Sequence, residues 1–140
     1  MRTLLSDLEI DDDLSRVDFD RVHSWLATTY WSPGVSKELV ERAARGSATV
    51  IGVYSGDQQV AYCRIVSDKA TFAWLCDVFV DESFRGRGIA KAMVRFALDL
   101  PYSAELRRWI LATRDAHEVY AECGFVQLPN PDRWMVRLPS

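Results

Sequence analysis

The stretch Leu75-Cys76-Asp77-Val78-Phe79-Val80, then Asp81-Glu82-Ser83-Phe84-Arg85-Gly86-Arg87-Gly88, then Ile89-Ala90-Lys91-Ala92-Met93-Val94-Arg95-Phe96-Ala97-Leu98, decides how this chain is read. Its first part is apolar and β-rich. Its last part places Ile89, Met93, Phe96 and Leu100 at i, i+4, i+7 and i+11, with Ala92 and Ala97 beside them and Pro101 past the end; that spacing predicts a helix. The order is therefore strand Leu75–Val80, turn Asp81–Gly88, helix Ile89–Leu98. Such a junction suits an anion. Glycines let the backbone come close to a ligand, and the free N–H groups and dipole of a helix N-terminus attract negative charge. Arg85, Arg87, Lys91 and Arg95 make this stretch wholly cationic after Glu82, in a chain whose net charge is −3, so an anion is steered to it. Arg87, Lys91 and Arg95 also share one stripe of the helix, which a solvated face explains equally well.

The surrounding pattern is α+β. Leu4 to Ile10 reads as a strand and Asp11 to Ser15 as a polar break. Phe19, Val22, Trp25, Leu26 and Thr29 recur at helical spacing, and Trp31-Ser32-Pro33-Gly34 stops that helix. Ser36 is placed to N-cap a second helix with Leu39, Val40, Ala43 and Ala44 on its apolar face, and Gly46 to close it in a left-handed conformation. Strands follow at Ala48–Tyr54, Gln59–Val66 and Thr71–Val80, divided by the turns Ser55-Gly56-Asp57 and Ser67-Asp68-Lys69. After the central helix come a short strand, Trp109–Ala112, a helix, Ala116–Cys123, closed by Gly124, and two last strands, Phe125–Leu128 and Arg133–Leu138. No repeat or linker interrupts the 140 residues, so they form one domain, 1–140.

Composition narrows the function. A net charge of −3 does not suit nucleic-acid binding. No run approaches ~18 apolar residues, as a membrane-spanning helix requires, and the opening Met1-Arg2-Thr3-Leu4-Leu5-Ser6-Asp7 meets an acid too early for a signal peptide. Cys63, Cys76 and Cys123 form no paired motif; reduced thiols in a cytoplasmic protein, with no metal, are the expectation. Two phosphate motifs fail. Ala92 stands where a P-loop requires Lys, and Lys91 stands where a dinucleotide fingerprint requires Gly or Ala.

The segment Arg85-Gly86-Arg87-Gly88-Ile89-Ala90 resembles the signature Arg/Gln-x-x-Gly-x-Gly/Ala of the GNAT acetyltransferase family. Asp77 to Phe84 is similar to that family's fourth strand and approach loop. Trp109 to Thr113, with Ala116, Tyr120, Gly124 and Phe125, resembles its fifth strand and the helix that carries its catalytic tyrosine. The resemblance covers roughly residues 48–138. It implies a central, mostly antiparallel mixed sheet flanked by about four helices, and an N-acetyltransferase that passes the acetyl group of acetyl-CoA to a small-molecule or peptide amine. By the same resemblance, Arg85, Gly86, Arg87, Gly88, Ile89 and Ala90 would hold the pyrophosphate. Phe79 and Val80 would lie along the pantetheine arm and supply a backbone donor for the thioester oxygen, and the two splayed strands would admit that arm. Tyr30 and Trp31 fall in the loop that the family uses for the acceptor.

Acetyl transfer needs a neutral amine and help for the departing thiolate. Tyr120 matches the family's general acid. Asp77, an acid inside an apolar run, is the leading base, ahead of Glu82, His23 or a chain of waters; a bulge cap or a partner for an arginine is its plainer role. Cys123, three residues after Tyr120, reads as a buried small side chain. A non-catalytic acyl-CoA-binding module is the alternative function, although it would leave Tyr120 without a purpose. A third is an interaction protein whose final strand pairs with a partner chain. The acceptor, and whether the chain forms a homodimer, are open at this level.

Overall fold

The computed structural model describes residues 1–139. Six strands form one sheet in sequence order: β1 (Arg2–Leu5), β2 (Leu8–Asp11), β3 (Thr49–Ser55), β4 (Gln58–Ser67), β5 (Phe72–Val80) and β6 (Arg108–Ile110). The first five pair antiparallel; β6 pairs parallel with β5. Four helices accompany them: α1 (Phe19–Leu26), α2 (Lys37–Gly46), α3 (Ile89–Leu98) and α4 (His117–Ala121). This is the α+β architecture that the sequence pattern predicts, with the mostly antiparallel mixed sheet that the family resemblance implies.

The sheet separates two cores. On one face α3 lays Ile89, Met93, Val94 and Phe96 over Ile51, Val53, Cys63, Ile65 and Leu75. On the other, α1 and α2 pack Val22, Trp25, Leu26 and Val40 against Val50 and Tyr62. Strand β4 carries both loads: Ala61, Cys63 and Ile65 face α3 and Tyr62 faces α1, the period-2 alternation of a strand. A buried amide fastens the second layer. Gln59 is 1% exposed; its Oε1 accepts from the backbone N–H of Asp18 at 2.8 Å and its Nε2 donates to the carbonyl of Ala61 at 3.0 Å. Both ends of the amide are satisfied, as burial requires.

Ser36 caps α2 as read, accepting from the N–H of Leu39 at 3.1 Å. The cap of α1 is Asp18, outside the polar break Asp11–Ser15. Helix α1 stops at Leu26 because the hydroxyls of Thr28 and Thr29 turn back to donate to the carbonyls of Trp25 and Leu26. They compete with the backbone for its acceptors, so Thr29 lies outside the helix.

Four expectations are corrected. Leu4–Ile10 is a hairpin rather than one strand, because Ser6 takes a left-handed conformation (φ +57) and reverses the chain. Gly46 ends α2 as its last residue, without a positive φ, and extended Ser47 follows. The strand after α3 is only Arg108–Ile110, and α4 only His117–Ala121. The strands expected at Phe125–Leu128 and Arg133–Leu138 are absent. Residues 125–139 hold one 3-10 turn, Pro131–Arg133, and are otherwise irregular.

Candidate active site

Beyond Trp74, β5 and β6 part. They pair only at Phe72–Arg108, Ala73–Trp109 and Trp74–Ile110. A cleft of about 1390 Å³ opens between them, walled by Trp74–Val80 on one side and Ala112–Ala116 on the other. A bulge bends β5 at this place. Tyr62 faces Phe79 and Arg64 faces Cys76, so β5 has one residue more than β4 in between; a bulge tightens the local twist and turns a strand aside. Asp77 occupies the bulge with φ +57, a conformation that costs an L-residue ~1–2 kcal/mol but which Asp tolerates better than most. Its side chain is firmly held. Oδ2 accepts from Nε of Arg64 at 2.6 Å, and Oδ1 accepts from Nε1 of Trp31 at 2.9 Å. Of its two plainer roles, Asp77 takes the pairing with an arginine, Arg64.

One end of the cleft is the N-terminus of α3. Gly88 precedes the helix with φ +75, and Gly86 has φ +80. A Cβ on either would meet nothing within 4 Å, so backbone angle rather than space calls for glycine there. No side chain caps this helix end. The first intrahelical donor is Ala92, to Gly88, which leaves the N–H groups of residues 86–91 without protein acceptors. Ile89 is 2% exposed, so only its backbone can serve a ligand. The cations divide. Arg87 reaches away to Asp7 at 2.9 Å, and Lys91 joins Glu122, just past α4, at 2.5 Å. Arg85 lines the cleft, donates from Nε to the carbonyl of Val80 at 3.0 Å and lies 5.3 Å from the Phe79 ring. Among the described residues it has no carboxylate partner, and so remains available to an anion.

Asp81 sets the approach to that turn. It caps the 3-10 turn Glu82–Phe84 by accepting from the N–H and hydroxyl of Ser83. It also accepts from Trp25 Nε1 at 3.2 Å and sits 3.4 Å from Arg21, which ties the loop to α1. The Ser83 hydroxyl, ahead of the others, lowers its pKa below the ordinary carboxylate value.

Tyr120, on α4, lines the same cleft. Its ring stands edge-on to Phe125, with centroids 6.1 Å apart. Burial raises its hydroxyl to about 12, so the group stays protonated at neutral pH. Phe79 and Val80 line the cleft on β5, and Tyr30 and Trp31 close its far end. The Tyr30 hydroxyl accepts from the Arg114 backbone N–H at 2.8 Å while the Arg114 guanidinium lies 3.9 Å over its ring. The loop after α1 thereby reaches the loop after β6. His23 is elsewhere, its Nε2 donating to the carbonyl of Val35 at 2.8 Å. Cys76 borders the cleft, but burial lifts its thiol to about 11, which leaves little thiolate at neutral pH. Cys123 packs at the edge of the α3 core.

Sequence reasoning missed Arg64, Arg114 and the linking role of Asp81. For Asp81 a signal was present, the Asp-x-Ser spacing of a cap. Arg64 meets Asp77 only through the bulged register, and Arg114 meets Tyr30 only across the cleft.

The model of the Acetyltransferase (GNAT) family matches residues 12–125. The chain belongs to this family. It is similar to a solved protein from Xanthomonas campestris pv. campestris assigned to the GNAT family, with 38% identity, coverage of 94% of this chain and 93% of that one, and a TM-score of 0.90. It shares its fold with a Staphylococcus aureus protein (14% identity, 95% and 99% coverage, TM-score 0.78) and with a GNAT family protein of Streptococcus pneumoniae TIGR4 (22%, 100% and 98%, TM-score 0.71). No curated protein matches the chain. A GNAT acetyltransferase carries out acyl transfer. Among the described residues no group of side chains could hold a metal ion, and no helix is long and apolar enough to cross a membrane.

Asp81→Asn tests the linking residue. A lowered carboxyl pKa in the folded state stabilises above the unfolded value of ~3.9 and ceases to do so as pH falls through the folded value. Chemical denaturation should therefore show the variant less stable than the wild type by about 1 kcal/mol at pH 7, with the gap closing below about pH 4. A gap that persists unchanged at pH 3 would remove the charge of Asp81 from the account.

Proposed function

We propose that this GNAT protein is an acetyl-CoA-dependent N-acetyltransferase that acetylates a primary amine by direct attack, with Tyr120 assisting the departing thiolate. The observation that carries the reading is one continuous cleft with an uncapped helix N-terminus at one end and Tyr120 and Asp77 along its length. Its volume exceeds the ~300–1,000 Å³ of an ordinary small-molecule pocket, which suits two reactants side by side.

The residues present fit acetyl-CoA. The unpartnered N–H groups around Arg87, Gly88, Ile89 and Ala90 suit a pyrophosphate, and Arg85, at the same mouth, adds an unpaired charge. Gly86 gives the turn its shape. Strand β5, bonded to β4 on one side and open on the other from Leu75 to Val80, suits the amides of an extended pantetheine arm, with Phe79 and Val80 beside Arg85 at the phosphate end and Asp77 toward the reacting end. When bound, acetyl-CoA supplies an acetyl group activated as a thioester.

The protein's part is to hold the amine, take its proton and meet the sulfur. Tyr30, Trp31 and Trp74 give the acceptor end aromatic faces, and Asp77 and Asp115 give it carboxylates, a lining that favours a cationic amine. Each Asp77 oxygen accepts one hydrogen bond and keeps a lone pair, so this carboxylate can take a proton as the amine nitrogen forms its bond to carbon. As the carbon–sulfur bond breaks, its electron pair goes to sulfur, and the Tyr120 hydroxyl donates to it. A tyrosine at about 12 is a weaker acid than a thiol near ~8.5; Tyr120 therefore acts chiefly through the hydrogen bond. A thiolate of Cys76 as acetyl carrier has no such support, since its pKa is raised. The site lies in a chain suited to the cytoplasm, and a small-molecule or peptide amine is the partner it would take.

Acetyl-CoA should raise the melting temperature of the protein by mass action, and Gly88→Asp, which strains a φ of +75 and sets a carboxylate against the pyrophosphate, should remove that shift. A folded variant with an undiminished shift would place the cofactor elsewhere.

Asp77→Asn should lower the rate by about 10²–10⁴-fold at neutral pH. A rate equal to that of the wild type would leave Asp77 only its bonds to Arg64 and Trp31.

Tyr120→Phe should lower kcat by about 10–10³-fold, at or below the usual range for a general acid, and leave acetyl-CoA binding close to the wild-type value. The wild type should show no alkaline decline from this group below about pH 11, because burial raises its pKa. Full turnover by the variant would make Tyr120 a packing residue.

A further inference from the structure

The loop after α1, residues 27–34, is closed on itself and reaches both walls of the cleft. At its base the N–H of Gly34 donates to the carbonyl of Ala27 at 2.9 Å, and His23 of α1 holds the carbonyl of Val35. Inside it the hydroxyls of Thr29 and Ser32 meet at 2.9 Å. A loop with its ends together and its own side chains bonded within is a compact unit. Its tip carries Tyr30 and Trp31, whose rings stand edge to face at 5.0 Å, and the two reach opposite ways. Trp31 donates from Nε1 to Asp77 on β5 at 2.9 Å. Tyr30 accepts from the backbone N–H of Arg114, beyond β6, at 2.8 Å, and the Arg114 guanidinium lies 3.9 Å from the centre of its ring. Among the described residues no backbone hydrogen bond joins residues 75–80 directly to residues 111–116. The tip of this loop bonds to both.

We propose that Arg114 is a positioning residue for acetyl transfer: clasped to Tyr30, it holds this loop across the cleft so that Trp31 stays bonded to Asp77. The proposal rests on the reading of the cleft as an acetyl-transfer site. The contacts at the tip are exposed ones. Tyr30 is 43% exposed and Trp31 44%, and the Arg114 side chain is 65% exposed. An exposed cation–π stack amounts to a factor of about 2–5 in an equilibrium constant, so one such contact alone leaves the wall open for a sizeable share of the time. Contacts made by a single compact loop reinforce one another, because each holds the loop where the next can form. The guanidinium is free for this task. Its carboxylate neighbour, Asp115, lies 3.8 Å away with both side chains well exposed, a pair of little strength. Arginine suits the role better than lysine, since its planar head lies flat on a ring. The clasp therefore sets how firmly the acceptor end is walled, and it touches nothing in the turn of residues 85–90.

The indole N–H signals of a nitrogen-15-labelled sample test it. The chain has five tryptophans, and the signal lost in Trp31→Phe belongs to Trp31. Arg114→Ala removes the stack and keeps the backbone N–H that bonds Tyr30. It should speed exchange of the Trp31 indole proton with water about 2–5-fold and leave that of Trp25, which donates to Asp81, unchanged. Tyr30→Leu should speed it at least as much, and Arg114→Ala should add nothing in the Tyr30→Leu background. Should Tyr30→Leu fail to fold, Tyr30→Phe, which keeps the stack and loses the hydroxyl, should still speed the exchange, and Arg114→Ala should then add its full effect. With whichever of a panel of primary amines the wild type acetylates fastest, Arg114→Ala should raise the KM of that amine by a similar factor and leave the melting shift given by acetyl-CoA unaltered. Unchanged Trp31 exchange in Arg114→Ala would overturn the proposal. So would an unchanged KM, a lost acetyl-CoA shift, or effects of Arg114→Ala and Tyr30→Leu that multiply, which would mean that Arg114 does not act through Tyr30. A wild type that acetylates no amine would overturn the acetyl-transfer reading, and the indole exchange would then decide the clasp by itself.

Discussion

After Trp74, strand β5 has a hydrogen-bonded neighbour on one side only. A strand inside a sheet normally satisfies its backbone on both sides, and backbone groups left dry and unpaired are costly. The fold accepts this break because water or an extended ligand can reach the open side. The bulge at Asp77 fixes where it occurs. A left-handed residue within a strand must be secured by its surroundings; Arg64 and Trp31 do this by bonding to both carboxylate oxygens. The strained residue that turns β5 away from β6 thus also brings its carboxylate to the cleft. On the proposed reading, substrate space and proton chemistry share one local cause.

A second constraint keeps the two ends of the cleft in register. The turn before α3 has no apolar anchor of comparable strength to the sheet; Asp81 supplies a polar one. By bonding Ser83 in the turn and Trp25 in α1, it couples the approach to the Gly-rich turn to the helix whose following loop carries Tyr30 and Trp31. Trp25 is in turn stacked on Phe79, with centroids 5.5 Å apart. A displacement of α1 would disturb β5, the Gly-rich turn and the acceptor wall together, so the site rests on the second core as much as on the sheet.

The distinction between local and distant contacts explains what could be read from the sequence. The α3 junction was legible because its signals are consecutive: apolar strand, paired glycines, cations, then helical spacing. Ser36 was legible as a cap because a cap needs only its next three residues. Gly46 misled because glycine allows a left-handed conformation without requiring it, and here extended Ser47 ends the helix. Leu4–Ile10 misled because Ser6 and Asp7 turn the chain without glycine or proline. The bond between Arg64 and Asp77 could not be seen, since it depends on a register that the bulge itself changes. Tyr30 and Arg114, 84 residues apart, meet only because the strands have already parted.

The tail was misread for a related reason. Its alternation of apolar and polar residues is real, and it predicts a strand in the sense that these residues prefer a pleated, half-covered surface. Propensity of this kind specifies an environment, not a location. Within one chain the environment is missing: β6 is three residues long, too short to template the six residues of Arg133–Leu138. The same brevity is what opens the cleft, because a longer β6 would continue along β5 and fill the gap in which Asp77, Val80 and Tyr120 stand. A short β6 therefore leaves two unpaired edges, one on β5 and one on its own outer side. The edge on β5 lies beside an uncapped helix, free N–H groups and an unpaired arginine, and calls for a polar, anionic ligand.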